Sequence, residues 1–202
     1  MKRLFLIRHG ESIQNQQDLL SGVSDVPLSQ TGKEQCSRLR AFFSRFPVEA
    51  VFASPLSRAI ESARIVFPQH EIVIAEGLIE FDYGDYEGMP RTHEDEVMRR
   101  WHSAPADAVF PGGKSVKEHA LQVYNEILSI AQKTPAHNIA CFSHRTTIRL
   151  IVAQVLGLDL NKFRLLPCSN CSVTTLLFTE EDGLQLQSLN VELEFLVRAR
   201  FD

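Results

Sequence analysis

LFLIRHGES, Leu4 to Ser12, is the stretch from which the rest of the chain is read. Four apolar residues in a row fit a strand buried on both faces, as in the interior of a parallel sheet. The run then meets Arg8, His9 and Gly10 with no turn signal between. A core strand has no packing use for a cation and an imidazole at its end. Gly10 there would let a neighbouring backbone approach closely. The ending therefore reads as a mount that holds polar groups out at the carboxyl end of a strand.

The same arrangement recurs further along. EAVFAS, Glu49–Ser54, runs into PLSRAIESA, and NIACFS, Asn138–Ser143, runs into His144 and Arg145. Helical patterns alternate with these runs. In TGKEQCSRLRAFFSRF, Thr31 and Glu34 stand at capping-box spacing, and Cys36, Leu39, Phe42, Phe43 and Phe46 follow a helical period. Ser54 is a candidate N-cap with Pro55 at the first helical position. Further helices are expected over about 116–132 and 146–156. Late strands are expected near 172–178 and 184–189, with Asp182-Gly183 as their turn. Strand alternating with helix predicts an α/β fold, a mostly parallel central sheet flanked by helices. The pattern breaks at about 83–113, rich in Gly, Pro and charge, with a short candidate helix near 94–101. That stretch reads as a helical and loop insertion over a site, within a single domain spanning 1–202.

The 202 residues carry a formal net charge of −4, which excludes the broad positive field that a generic nucleic-acid or anionic-membrane binder needs. No stretch approaches the roughly 18 apolar residues of a membrane span. The start is too short in apolar residues for a signal peptide, so a cytoplasmic location is expected. Cys168 and Cys171 form one C-x-x-C without a second pair. Together with Cys36 and Cys141 they are expected to pack as small buried hydrophobes.

In open α/β sheets ligands bind beyond the carboxyl ends of the strands. That rule gathers Arg8, His9, Arg58 and His144 at one edge, with helix N-termini nearby. Singly, each is more often a surface charge or a satisfied boundary residue. Together, two guanidinium groups and two imidazoles form a pocket suited to phosphate or sulfate. A metal is not expected, because no local His pair is present and two arginines would repel a divalent cation.

The residues also resemble a known family. LIRHGES with Asn15 beyond it is similar to the N-terminal signature of the histidine phosphatase superfamily, which includes cofactor-dependent phosphoglycerate mutases. SGVSDVPLSQTGKEQ resembles its G-x-x-D-x-x-L-[ST]-x-x-G-x-x-Q segment, and SPLSRAIESA its S-x-L-x-R-[AT]-x-x-[ST]-A segment. IEFDYGDYEG and FSHRTTIR match two further segments, in order and over most of the chain. The resemblance implies a phosphoglycerate mutase-like fold and a two-step phosphoryl transfer without metal or organic cofactor. His9 would attack phosphorus. Arg8, Arg58 and His144 would bind the transferring oxygens, and Glu80 would serve as acid and then base. Asn15, Ser21 and Gly22 align with positions that touch phosphate or substrate.

Partial burial beside Phe81 and Tyr83 would suit Glu80 to the acid role, while Asp82, Asp85 and Glu87 are rivals that spacing alone does not separate. Two positions depart from the pattern. Arg145 stands where relatives usually have Gly, either crowding the phosphate or adding an anion contact. Lys114 in GGKS replaces an acid, and a solvated loop lysine is the plainer reading. EFDYGDYEG and an end at Asp202 soon after the last strand-like run favour hydrolysis of a small phosphorylated substrate. The alternatives are a phosphoglycerate-type mutase and a lapsed enzyme that binds phosphate or a phosphoprotein. The alcohol carried by the phosphate is expected to be chosen within 83–113.

Overall fold

The computed structural model describes residues 1–44 and 46–192; the last ten positions of the expected 1–202 domain lie outside the described residues. Six strands form one sheet in the order β3-β2-β4-β1-β5-β6. Their bounds are β1 Lys2–Arg8, β2 Ala50–Ala53, β3 Ile72–Ile74, β4 Asn138–Ser143, β5 Val173–Thr179 and β6 Gly183–Val191. The helices are α1 Ile13–Gln16, α2 Gln30–Phe43, α3 Ser57–Val66, α4 Glu96–Ser103, α5 Val116–Lys133 and α6 Arg145–Val155.

β1 lies at the centre, parallel to β4 and antiparallel to β5. Its apolar run divides by the strand period of two. Leu4 and Leu6 enter a core layer shared with α5 and α6, while Phe5 and Ile7 enter a second layer against α2 and α3. β4 does the same, with Ile139 and Cys141 on the first side and Ala140 and Phe142 on the second. A continuous apolar run is thus the signature of a strand covered on both faces. The mostly parallel sheet stands, with β3-β2, β2-β4 and β4-β1 parallel and the two β5 pairings antiparallel.

Several local expectations are corrected. Helix α2 is capped by Ser29, whose hydroxyl accepts from the Gly32 amide at 3.0 Å; Thr31 lies inside the helix. Helix α3 begins two residues after Pro55 with Leu56 as N-cap, and Ser54 is used elsewhere. β3 has only three residues, and Val73 and Ile74 are 45% and 44% exposed. Its apolar content is that of an edge, too short to stand out in the sequence. Gly183 opens β6 at φ 69° and makes the expected hairpin turn.

The 83–113 segment is held by aromatic packing. Phe81 stacks on Trp101 with ring centroids 5.4 Å apart, and Phe110 meets Tyr83, Tyr86 and Trp101 edge-on. Phe110 is buried, as are Met98 and Trp101 of α4. Such rings supply large buried area together with preferred geometry. Asp95 caps α4 by accepting from the Met98 amide at 2.8 Å.

Candidate active site

The turn after β1 is built around close backbone contact. A side chain at Gly10 would bring its Cβ within 2.5 Å of the Gly32 carbonyl, and one at Gly32 would meet the Glu11 carbonyl at 2.0 Å. The Gly10 amide donates to Ser62 Oγ at 3.0 Å, and the Glu11 amide donates to Gln35 Oε1 at 2.9 Å. Ser29, Gly32, Gln35 and Ser62 therefore serve as the frame that fixes His9 from α2 and α3.

His9 and His144 face each other with ring centroids 5.1 Å apart. His9 Nδ1 lies 2.6 Å from the Gly10 carbonyl oxygen, which only accepts, so Nδ1 carries the proton and Nε2 keeps its lone pair. His144 Nε2 lies 2.7 Å from Ser54 Oγ, and Ser54 Oγ also accepts from the Leu56 amide. Ser54 Oγ can donate to Nε2 or accept from it, and in either case it fixes that edge of the ring and turns His144 Nδ1 the other way. That atom is buried and has no protein partner. Burial, reinforced by Arg58 and Arg8, holds His9 well below the ordinary imidazole range, and burial with Arg58 does the same to His144. Both rings are neutral at physiological pH.

Arg8 and Arg58 are buried cations. Arg8 donates to the Cys168 carbonyl at 2.8 Å and to Asn15 Oδ1 at 3.5 Å. Burial lowers its guanidinium to about 10, so it remains charged at neutral pH. Arg58 donates to the Gly22 and Ser24 carbonyls at 2.6 and 2.7 Å, and burial lowers it too. The Nε atoms of both remain unpaired and buried. Asn170, which the sequence reading passed over, donates to the His9 carbonyl at 3.0 Å and to Asn15 Oδ1 at 3.3 Å.

Glu80 is buried, 4% exposed, and its carboxylate caps α6. It accepts from the Thr146 and Thr147 amides at 3.0 and 3.1 Å, from Thr147 Oγ1, and from the Phe81 amide at 2.8 Å. Its rivals separate by partner. Glu87 accepts from the amides of Gly22, Val23, Ser24 and Tyr83, so it braces a loop. Asp82 accepts from the Gly84 amide, and Asp85 is exposed.

The expected contribution of helix N-termini is corrected by these bonds. The second and third amides of α6, those of Thr146 and Thr147, are given to Glu80, and Asp25 accepts from Ser57 N and Oγ at the start of α3 at 2.7 Å each. Positive side chains dominate the pocket instead. The Gly22 amide is committed as well. It goes to Glu87, and a Cβ at Gly22 would lie 2.1 Å from the Phe81 carbonyl. Gly22 spaces the loop and offers no free donor. Ser21 is buried with a hydroxyl that has no protein partner. Lys114 is exposed and donates to Gln122 Oε1 at 3.2 Å. Among the described residues no cluster of three His, Cys, Asp or Glu side chains is arranged for a metal. Cys168 and Cys171 are buried free thiols, and Cys171 packs against Cys36 with sulfurs 3.6 Å apart.

The profile of the histidine phosphatase superfamily, branch 1, matches residues 4–192. The chain belongs to that superfamily. It is 30% identical to phosphoserine phosphatase 1 of Hydrogenobacter thermophilus over 98% of both chains. It is 31% identical to the adenosylcobalamin/alpha-ribazole phosphatase of Salmonella typhimurium over 76% of this chain and 79% of that one. The fold superposes on Entamoeba histolytica phosphoserine phosphatase, solved with 3-phosphoglyceric acid, at a TM-score of 0.87, covering 96% of this chain and all of that one at 23% identity. The mostly parallel sheet is the fold shared with that structure, and the protein is an enzyme of the phosphatase class. No helix among the described residues is long and apolar enough to cross a membrane.

Proposed function

We propose that the protein hydrolyses a phosphomonoester of a small metabolite through a phosphohistidine on His9. The observation that carries the reading is the His9 ring itself. Its Nδ1 proton is committed to the Gly10 carbonyl, its Nε2 lone pair is free, and burial reinforced by Arg58 and Arg8 keeps the ring neutral. In the first step Nε2 forms a bond to phosphorus as the ester P–O bond breaks. Arg8, Arg58 and the Nδ1–H of His144 receive the charge on the transferring oxygens. Glu80 gives its proton to the leaving alkoxide, then takes one from the water that cleaves the P–N bond and restores His9. Asn15 contributes a polar contact beside Arg8, and the buried, unpartnered Ser21 hydroxyl is a further candidate contact.

The domain assignment is proposed as one unit over 1–202, with 83–113 as a cover, supported by a family match that begins at residue 4 and ends at 192. A cytoplasmic location fits the free buried thiols, which suit a reducing compartment.

The test is hydrolysis of p-nitrophenyl phosphate in EDTA by wild type, His9→Ala and His144→Ala, with acid-quenched labelling from a radiolabelled monoester. Metal-free turnover and a labelled protein in wild type, both lost in His9→Ala, are expected. Turnover that survives His9→Ala at more than about a hundredth of wild type would overturn the nucleophile assignment. Isomerised monophosphate on adding 2,3-bisphosphoglycerate, in place of free phosphate, would move the enzyme to the mutases.

A further inference from the structure

A cavity of about 470 Å³ is lined by Arg8 and Arg145, the chain neighbours of His9 and His144, together with Asn15, Asp18, Arg91 and Arg149. A smaller recess of about 140 Å³ shares Arg91, Arg145 and Arg149, and adds Tyr83, Trp101 and Arg164. Beyond Arg8, four arginines thus meet from three parts of the chain. Arg91 comes from the 83–113 segment, Arg145 and Arg149 from α6, and Arg164 from the short turn of helix at Leu160–Leu165.

Two of the four are accounted for by protein partners. Arg91 pairs with Asp18 at 3.6 Å. Arg164 donates to the Trp101 carbonyl at 2.7 Å and lies over the Trp101 ring at 5.0 Å. Arg145 and Arg149 have no hydrogen-bond or ion-pair partner among the described residues, and the Nε atom of each is buried and unpaired. They stand at i and i+4 of α6, so they share a face, and like charges at that spacing destabilise a helix. Burial and the neighbouring Arg145 push Arg149 down to about 10. A pair of partly buried, mutually repelling guanidinium groups that opens on a cavity is complementary to an oxyanion held from both sides.

We infer that the substrate carries a second oxyanion, a carboxylate or a second phosphate, which seats between Arg145 and Arg149 with Arg91 while the reacting phosphate meets His9. The inference rests on the hydrolase reading and narrows its substrate class to small polyanionic monoesters. Arg145, which departs from the family pattern directly after His144, takes the role of an anion contact in a subsite that Arg149 completes.

The test compares substrates that differ only in the second anion. 3-Phosphoglycerate is set against glycerol 3-phosphate for the carboxylate, and fructose 1,6-bisphosphate against fructose 6-phosphate for the phosphate. Wild type is expected to show at least a tenfold higher kcat/KM for the doubly anionic member of one pair or both, and the pair with the larger ratio identifies the anion. Arg149→Gln is expected to cut that ratio at least fivefold, through KM more than kcat, and Arg149→Lys to restore part of it. Ratios near one in wild type, or a ratio untouched by both Arg149→Gln and Arg145→Gln, would overturn the inference. Binding of the same four compounds to His9→Ala, measured by calorimetry, separates it from the hydrolase reading. A preserved preference for the second anion without turnover in wild type would sink hydrolysis alone, and equal Kd values would sink the subsite alone.

Discussion

Ser54 shows how much of the chemistry rests on one hydroxyl. It accepts from the Leu56 amide and shares a hydrogen bond with His144 Nε2, so it fixes the orientation of the ring. Ser54→Ala leaves a buried imidazole nitrogen without its partner and frees the ring to reorient. A 10–100-fold fall in kcat with a smaller change in KM is expected, about 1.4 kcal/mol per factor of ten, measured by steady-state kinetics. Glu87 offers a second case. Its carboxylate gathers the Gly22, Val23, Ser24 and Tyr83 amides, and the carbonyls of Gly22 and Ser24 in turn hold Arg58. Glu87→Gln weakens charge-assisted bonds and is expected to cost about 1–3 kcal/mol in urea denaturation, with loss of phosphate affinity through Arg58.

At the scale of elements, the starts of α3 and α6 are capped by carboxylates from distant segments, Asp25 and Glu80. The consequence differs between them. Asp25→Asn removes a charged cap from α3 and is expected to cost about 1 kcal/mol with the site otherwise intact, read from the urea midpoint. The Glu80 cap ties the general-acid position to the helix that carries His144 and Arg145. The α4 segment is an element of another kind, held by rings more than by backbone bonds. Trp101→Ala removes the stack with Phe81 and the platform under Arg164, and is expected to destabilise by about 3–5 kcal/mol in thermal and urea unfolding. Kinetic damage should accompany it, because Arg91 and Arg164 line the same recess.

For the whole molecule, the buried imidazoles dictate how stability responds to acid. His9, His144 and His119 are all held below their unfolded value near 6.5, His119 at about 4 through burial. The unfolded chain therefore takes up protons that the native state refuses, and stability present above pH 6.5 is lost as pH falls toward the folded values. For His119 alone, the loss between pH 7 and 4.5 is about 2–3 kcal/mol. Urea midpoints of wild type and His119→Gln at both pH values check it, and the variant is expected to lose the smaller amount on acidification.

Much of this molecule follows from local sequence. Continuous apolar runs announced β1, β2 and β4, because a strand covered on both faces alternates between two core layers and tolerates few polar positions. The polar ends of those runs marked Arg8, His9 and His144, since a strand end gains nothing in packing from such groups. Gly10 was legible as a close approach, its counterpart Gly32 was not, and β3 was too short to read at all. What tertiary structure alone decided was partnership. That Ser54 orients His144, that Asp25 and Glu80 take the helix amides, and that Arg91, Arg145, Arg149 and Arg164 face one cavity depend on contacts between segments tens of residues apart. Periodicity reports which face of an element is buried; it carries no record of which distant side chain meets that face.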